Sequence, residues 1–213
     1  MFDNLHEQFP LFSKLTIFIK VIFSNTLKNS IFLNNNEIKK FTKGANIEIL
    51  ILYFLQKNNL QHEIHQSTIL EIFDLLTKFF SNLHTETFIK LKNPYNYLGH
   101  EIEGNIEDRD KQITNLRKNK DSYEALDEEY LKLSQEIAQH EIDNIILRHY
   151  DYKITFFIKQ DESRKKVDPD IGNTIRIIHP ISHEPIWFGI LTHDSPIKQF
   201  IDFNVREIQT KYL

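Results

Sequence analysis

The sequence predicts an α+β fold that is predominantly helical. It reads as an N-terminal helical layer, a long polar helix or helical hairpin, and a small C-terminal antiparallel sheet with a closing helix. Three observations carry this reading. Apolar residues recur at helical spacing through the first 92 of the 213 positions. Residues 106–150 contain no glycine and no proline, so no backbone breaker interrupts a helix there. Beyond Tyr152, short apolar runs suited to strands alternate with turn residues.

A helical core is placed over residues 1–92. Pro10 suits a first helical turn, where its missing N–H costs nothing. Leu11, Leu15, Phe18 and Ile22 follow along one face, with Phe12, Ile19 and Phe23 as a second stripe beside it. A helix this apolar around its circumference belongs in a core. Asn34-Asn35-Asn36 marks a turn. Ile47–Leu55 is nearly all apolar, and its length and lack of Val and Thr favour helix over strand. Asn58-Asn59 ends that element, and Ser67 or Thr68 can cap the next. Ile69, Ile72, Phe73, Leu76, Phe80 and Leu83 then mark the side it turns inward.

Residues 93–105 contain a proline, two glycines and three asparagines and read as a loop. In 106–150, Tyr123, Leu126, Tyr130, Leu133 and Ile137 recur at spacings of three and four, the narrow seam of a coiled coil or helical hairpin. Asp121-Ser122 offers a break that makes two antiparallel arms from one rod. Residues 151–213 are expected to form the sheet and closing helix. Strands are expected at Lys153–Lys159, Thr174–Ile178 and Ile186–Leu191. Asp194-Ser195-Pro196 supplies an N-cap followed by proline at the first helical position, with an apolar face continuing to about Glu207.

Composition excludes several function classes. Cysteine is absent, which removes disulfide scaffolds, cysteine nucleophiles and thiolate zinc sites. Neither GxGxxG nor GxxxxGK[ST] is present. The apolar stretch Leu15–Phe23 is far shorter than the roughly 20 residues a bilayer span needs, so a cytoplasmic protein with no membrane span is expected. Charge is uneven: residues 93–150 carry seven Lys/Arg against thirteen Asp/Glu, whereas 151–213 are balanced at nine each.

The histidines are the chemical candidates. His179, His183 and His193 surround the expected hairpin, with Asp194 adjacent, and imidazoles beside a carboxylate suit acid–base or metal chemistry. A six-residue strand spans about 20 Å, however, which separates His183 from His193. His62-Glu63-Ile64-His65 has its histidines three apart, not the four of a zincin helix. Tyr95, Tyr97, His100 and Glu101 share the 93–105 loop. No metal or cofactor is expected. Nucleic-acid binding has little support, because the basic runs at 117–120 and 164–166 are short and ringed by acids.

The acidic, seam-bearing segment carries the most information. A polar helix with one narrow apolar stripe is not stable alone and needs a partner. The sequence therefore points to a non-enzymatic interaction protein, an adaptor or assembly subunit. It would dock another protein, or itself, through Tyr123, Leu126, Tyr130, Leu133 and Ile137. An intramolecular hairpin explains the same pattern. The alternatives are a hydrolase built on the 179–194 histidines and a winged-helix-like nucleic-acid binder.

Overall fold

A computed structural model of the chain describes residues 9–28, 31–60, 68–91, 106–123, 127–168, 173–180, 182, 184–192 and 194–213. Among these residues the order is α1 (Phe12–Leu27), α2 (Asn36–Phe41), α3 (Gly44–Lys57), α4 (Ile69–Ser81), a 3-10 turn (Leu83–Thr85), β1 (Phe88–Ile89), α5 (Ile106–Lys120), α6 (Glu128–Val167), β2 (Asn173–Ile178), β3 (Pro185–Leu191) and α7 (Pro196–Tyr212). The fold is α+β and predominantly helical, with a small three-stranded mixed sheet. The chain divides into two compact units, one of residues 1–99 with 164–213 and one of residues 100–163.

The first unit is built on phenylalanine. α1 buries Phe12, Leu15, Ile19 and Phe23, while Leu11, Phe18 and Ile22 pack partly buried beside them. α3 buries most of its length, from Ile47 to Leu55, as its unbroken apolar run demands. α4 starts at a capping box. The Thr68 hydroxyl accepts from the Glu71 N–H at 3.3 Å, and the Thr68 N–H donates to the Glu71 carboxylate at 2.6 Å, so two otherwise unpaired N–H groups are satisfied. α7 begins as expected, with the Ser195 hydroxyl accepting from the Lys198 N–H at 3.2 Å and Pro196 in the first turn. It runs to Tyr212, further than Glu207. A buried hydrogen bond from the Thr26 hydroxyl to Asn204 Oδ1, 2.6 Å long, ties α7 to α1.

Helical layer and sheet share one core: Ile175, Ile177, Trp187, Phe200 and Ile201 are buried in the same cluster as Phe23, Phe41 and Phe80. β2 pairs antiparallel with β3, Ile177 facing Trp187 and Arg176 facing Phe188, with an irregularity between Ile177 and Ile178. Two expectations are corrected here. The sheet is not purely antiparallel, because β1 pairs with β2 in parallel, Phe88 facing Arg176 and Ile89 facing Ile177. A two-residue strand shows no alternation in sequence. In addition, Lys153–Lys159 is not a strand but part of α6. Ile154, Phe157 and Asp161 are buried while Phe156 and Ile158 are exposed. That spacing of three and four is helical; a strand would have put 154, 156 and 158 on one face.

Gly189 is held to glycine by space. A Cβ there would lie 2.5 Å from Cζ2 of Trp187, and that ring is itself packed edge-on against Phe41 at 5.0 Å. Gly189→Ala should therefore destabilise by about 1–3 kcal/mol as the indole is displaced. Trp187 is the only tryptophan in the chain, so a shifted emission maximum alongside a lowered urea midpoint checks it. Unchanged emission and midpoint would show that the indole is not confined.

Candidate interaction surface on the helical hairpin

α5 and α6 run antiparallel. Arg109 and Asp110 near the start of α5 meet Asp143, Asn144 and Arg148 of α6, and Arg117 near its end meets Glu141. The break that the sequence offered at Asp121-Ser122 is where the rod folds: α5 ends at Lys120 and α6 begins at Glu128. Ser122 does not cap the second arm; its hydroxyl closes the end of the first, donating to Asn119 O at 2.5 Å.

The hairpin interior is thin and polar. α5 buries only Arg109 and Ile113. Arg109 Nη1 donates to Asp143 Oδ2 at 3.2 Å, with the side chains 2% and 9% exposed, and Gln139 Nε2 donates to the other carboxylate oxygen at 2.9 Å. Asn144 Nδ2 donates to Asp110 Oδ1 at 2.7 Å. Asn144 Oδ1 and His140 Nδ1 are buried with no hydrogen-bond partner among the described residues. Each such orphan costs about 1–3 kcal/mol, so this pair of helices gains little from its own packing.

Three of the predicted docking residues, Tyr130, Leu133 and Ile137, lie at least partly buried in this hairpin. Ile137 is buried, Tyr130 and Leu133 are half-buried, and Tyr123 is exposed in the turn. The Lys120 ammonium of α5 sits 4.6 Å above the Tyr130 ring, which occupies that ring with a cation–π contact. Leu126 lies outside the described residues. The Tyr130, Leu133 and Ile137 part of the seam read from the sequence is thus at least partly buried within the hairpin.

A different stripe faces outward. Ile142, Ile145, Tyr152 and Phe156 on α6 are 50%, 67%, 67% and 51% exposed. With His149 between them, the spacing is three, four, three and four, an a/d heptad seam. The residues buried along the same stretch, Asp143, Asn144, Ile154 and Phe157, lie at the b, c and f positions on the far side. Arg148 and Lys153 flank the outward seam at g and e. Arg148 also donates to Asp110 Oδ2 at 2.9 Å in an exposed pair. Sequence reading missed this stripe because it crosses residue 151, where the sheet-bearing segment was expected to begin.

Of the histidine-cluster candidates, His179 and Asp194 are among the described residues. His179 shapes the β2–β3 turn: its Nδ1 accepts from the Ser182 N–H at 3.1 Å, and its own N–H donates to Glu184 O at 3.0 Å. Asp194 is exposed in the turn before α7, its carbonyl accepting from Gln199 Nε2 at 3.4 Å. His183 and His193 lie outside the described residues, as do His62, Glu63 and His65, and the 93–105 loop with Tyr95, Tyr97, His100 and Glu101. Among the described residues no three His, Asp or Glu side chains converge as metal ligands. On α4, the helix that a winged-helix reading would place on DNA, Lys78 is paired with Asp74 at 2.6 Å. A groove of about 310 Å³ between α1 and α7 has a floor of Phe18, Ile22, Phe203 and Tyr212. Its charged rim is spent, since Lys211 is bonded to Glu207. The bond and charge of Glu207 raise the Lys211 pKa.

No described helix is long and apolar enough to cross a membrane. No protein-family model, no curated protein and no solved structure matches this chain.

Proposed function

We propose that this chain is a non-enzymatic, cytoplasmic interaction protein, an adaptor or assembly subunit, and that it docks an amphipathic helix of another protein on the outer face of α6. The observation that carries the reading is the exposed heptad seam Ile142, Ile145, Tyr152 and Phe156. Large apolar side chains at a/d spacing are read by another helix, knobs into holes. Left in water they are a liability, and a contiguous exposed apolar patch marks an interaction site. The orphaned polar atoms inside the hairpin give the same direction, because outside packing would supply stability that the hairpin interior does not.

Charge selects the occupant. If two copies paired in parallel, Arg148 at g would face Lys153 of the second copy at e, like against like. Antiparallel registers that match a with d set Arg148 against Arg148, or Glu141 against Glu162. A different helix with acidic residues at its e and g positions avoids these repulsions.

A fluorescein-labelled helical peptide with leucine at a and d and glutamate at e and g should bind the full-length protein saturably in an anisotropy titration. Ile145→Asp with Tyr152→Asp should weaken it by roughly tenfold or more, with the far-UV circular dichroism unchanged. The same peptide carrying lysine at e and g should bind more weakly than the glutamate version. Absence of saturable binding, or binding indifferent to the double substitution, removes the proposal.

A further inference from the structure

The first unit also leaves an apolar surface open, and this one is concave. α1 and α7 run antiparallel: the Phe18 ring lies 5.3 Å from Tyr212 near one end, and Thr26 is bonded to Asn204 near the other. Between them lies the groove of about 310 Å³ floored by Phe18, Ile22, Phe203 and Tyr212. A groove between two packed helices is the seat into which a third helix lays its apolar face.

The α1 wall is a helical stripe. Lys14, Phe18, Val21, Asn25 and Lys28 recur at spacings of four and three, so they line up along one side of the helix. Val21 lines the groove and is 53% exposed, and Ile17, one turn before it, is 62% exposed. Exposed aliphatic side chains contiguous with an apolar groove mark a contact surface.

Charge selects what lies there. From Phe9 to Asn36 the chain has three lysines and no Asp or Glu. Lys20 is answered by Glu48. On α7 the acids are answered within the helix, Asp202 by Lys198 and Glu207 by Lys211. Lys14, Lys28 and Arg206 are left, exposed and without an ion pair among the described residues. Arg206 sits one turn beyond Phe203, on the outer margin of the α7 wall. The groove therefore has an apolar floor, a rim whose own pair cancels, and margins of one sign. Lys14 and Lys28 stand at the two ends of the α1 stripe, about 21 Å apart at ~1.5 Å per residue.

We propose that the α1–α7 groove docks an acidic amphipathic helix of another protein. Its apolar side chains sit between the two helices, with carboxylates facing Lys14 and Lys28 at its ends and Arg206 along α7. A second copy of this chain presenting the same face would bring these cations against one another. A bilayer fits less well by shape: a plane resting on α1 meets Ile17 and Val21 and leaves the floor at Ile22 and Phe203 unused. The site lies within the first unit and does not involve the α6 seam.

The probe is a fluorescein-labelled helical peptide with leucine along one stripe, glutamate at the two ends of that stripe four turns apart, and glutamine on its other faces. It is titrated by anisotropy into the full-length protein carrying Ile145→Asp with Tyr152→Asp, so that the α6 seam takes no part. Saturable binding is expected, falling with added salt. Adding Val21→Asp, or separately Lys14→Glu with Lys28→Glu, should weaken it by roughly tenfold or more, with the far-UV circular dichroism unchanged because these side chains are exposed. Absence of saturable binding, or binding indifferent to Val21→Asp, overturns the inference. Binding that survives both lysine reversals overturns it as well, since charge then does not select the occupant. Sedimentation with phosphatidylserine vesicles, or a doubled mass in light scattering, that depends on Val21 while the peptide does not bind would show a bilayer or a second copy in the groove, and overturns it too.

Discussion

Phe23→Ala is expected to lower the stability of the helix–sheet unit by about 3–5 kcal/mol. Phe23 is 2% exposed. Its ring lies 6.2 Å from Phe41, 5.7 Å from Phe80 and 5.0 Å from Phe200, so it joins α1 to α2, α4 and α7 at one point. Two of these contacts are edge-on, and aromatic pairs in that geometry add about 0.5–1.5 kcal/mol beyond the area they bury. The neighbouring rings belong to separate helices and cannot all move inward to close the hole. Domain stabilities are about 5–15 kcal/mol, so the loss is a large share of the total. The measurement is the urea midpoint at unchanged slope. A fall worth less than about 1 kcal/mol would show that the site collapses around the missing ring.

Arg109→Ala is expected to unfold the hairpin locally. Removing the guanidinium leaves Asp143 buried with a hydrogen bond from Gln139, and breaking a buried ion pair from one side costs about 3–5 kcal/mol. Replacing both partners, Arg109→Met with Asp143→Leu, should recover much of the loss, because no buried charge is then left uncompensated. Hydrogen exchange read separately at α5 and at α4 locates the effect: exchange should accelerate in α5 and the facing part of α6 and stay slow in α4. An Arg109→Ala protein with native protection in α5, or a double variant worse than the single one, would show that the pair is not what holds the arms together.

Helices α1, α3, α4 and α7 of the first unit were legible because their signals are local. Thr68 with Glu71, and Ser195 with Pro196, announce helix starts through hydrogen bonds that span three residues. The unbroken apolar run of α3 could satisfy its burial only inside a core. The residues 153–159 were misread because apolar runs of that length fit either period; helix continuity from Glu128 decides in favour of 3.6. β1 was invisible, since Phe88 and Ile89 become a strand only through pairing with residues 176 and 177, nearly ninety positions away.

The candidate surface shows the same division. A heptad seam was readable in the polar segment, and the alternative of a hairpin with it. Which stripe faces water was not readable, because α6 carries two. One, through Tyr130, Leu133 and Ile137, turns toward α5; the other, through Ile142, Ile145, Tyr152 and Phe156, is left outside.

By itself the sequence determined the helical class, the candidate caps and the absence of thiol chemistry, and near Asp121 it offered a break without choosing between a rod and a hairpin. All of these follow from spacing and local hydrogen bonding, which do not depend on the rest of the chain. Tertiary structure alone decided that the polar segment folds back near Asp121, that β1 joins the sheet, that Gly189 makes room for an indole, and which apolar side chains of α6 and β3 are exposed among the described residues. Those outcomes rest on contacts between distant residues, and burial is a property of what packs against a side chain, not of the side chain's own identity.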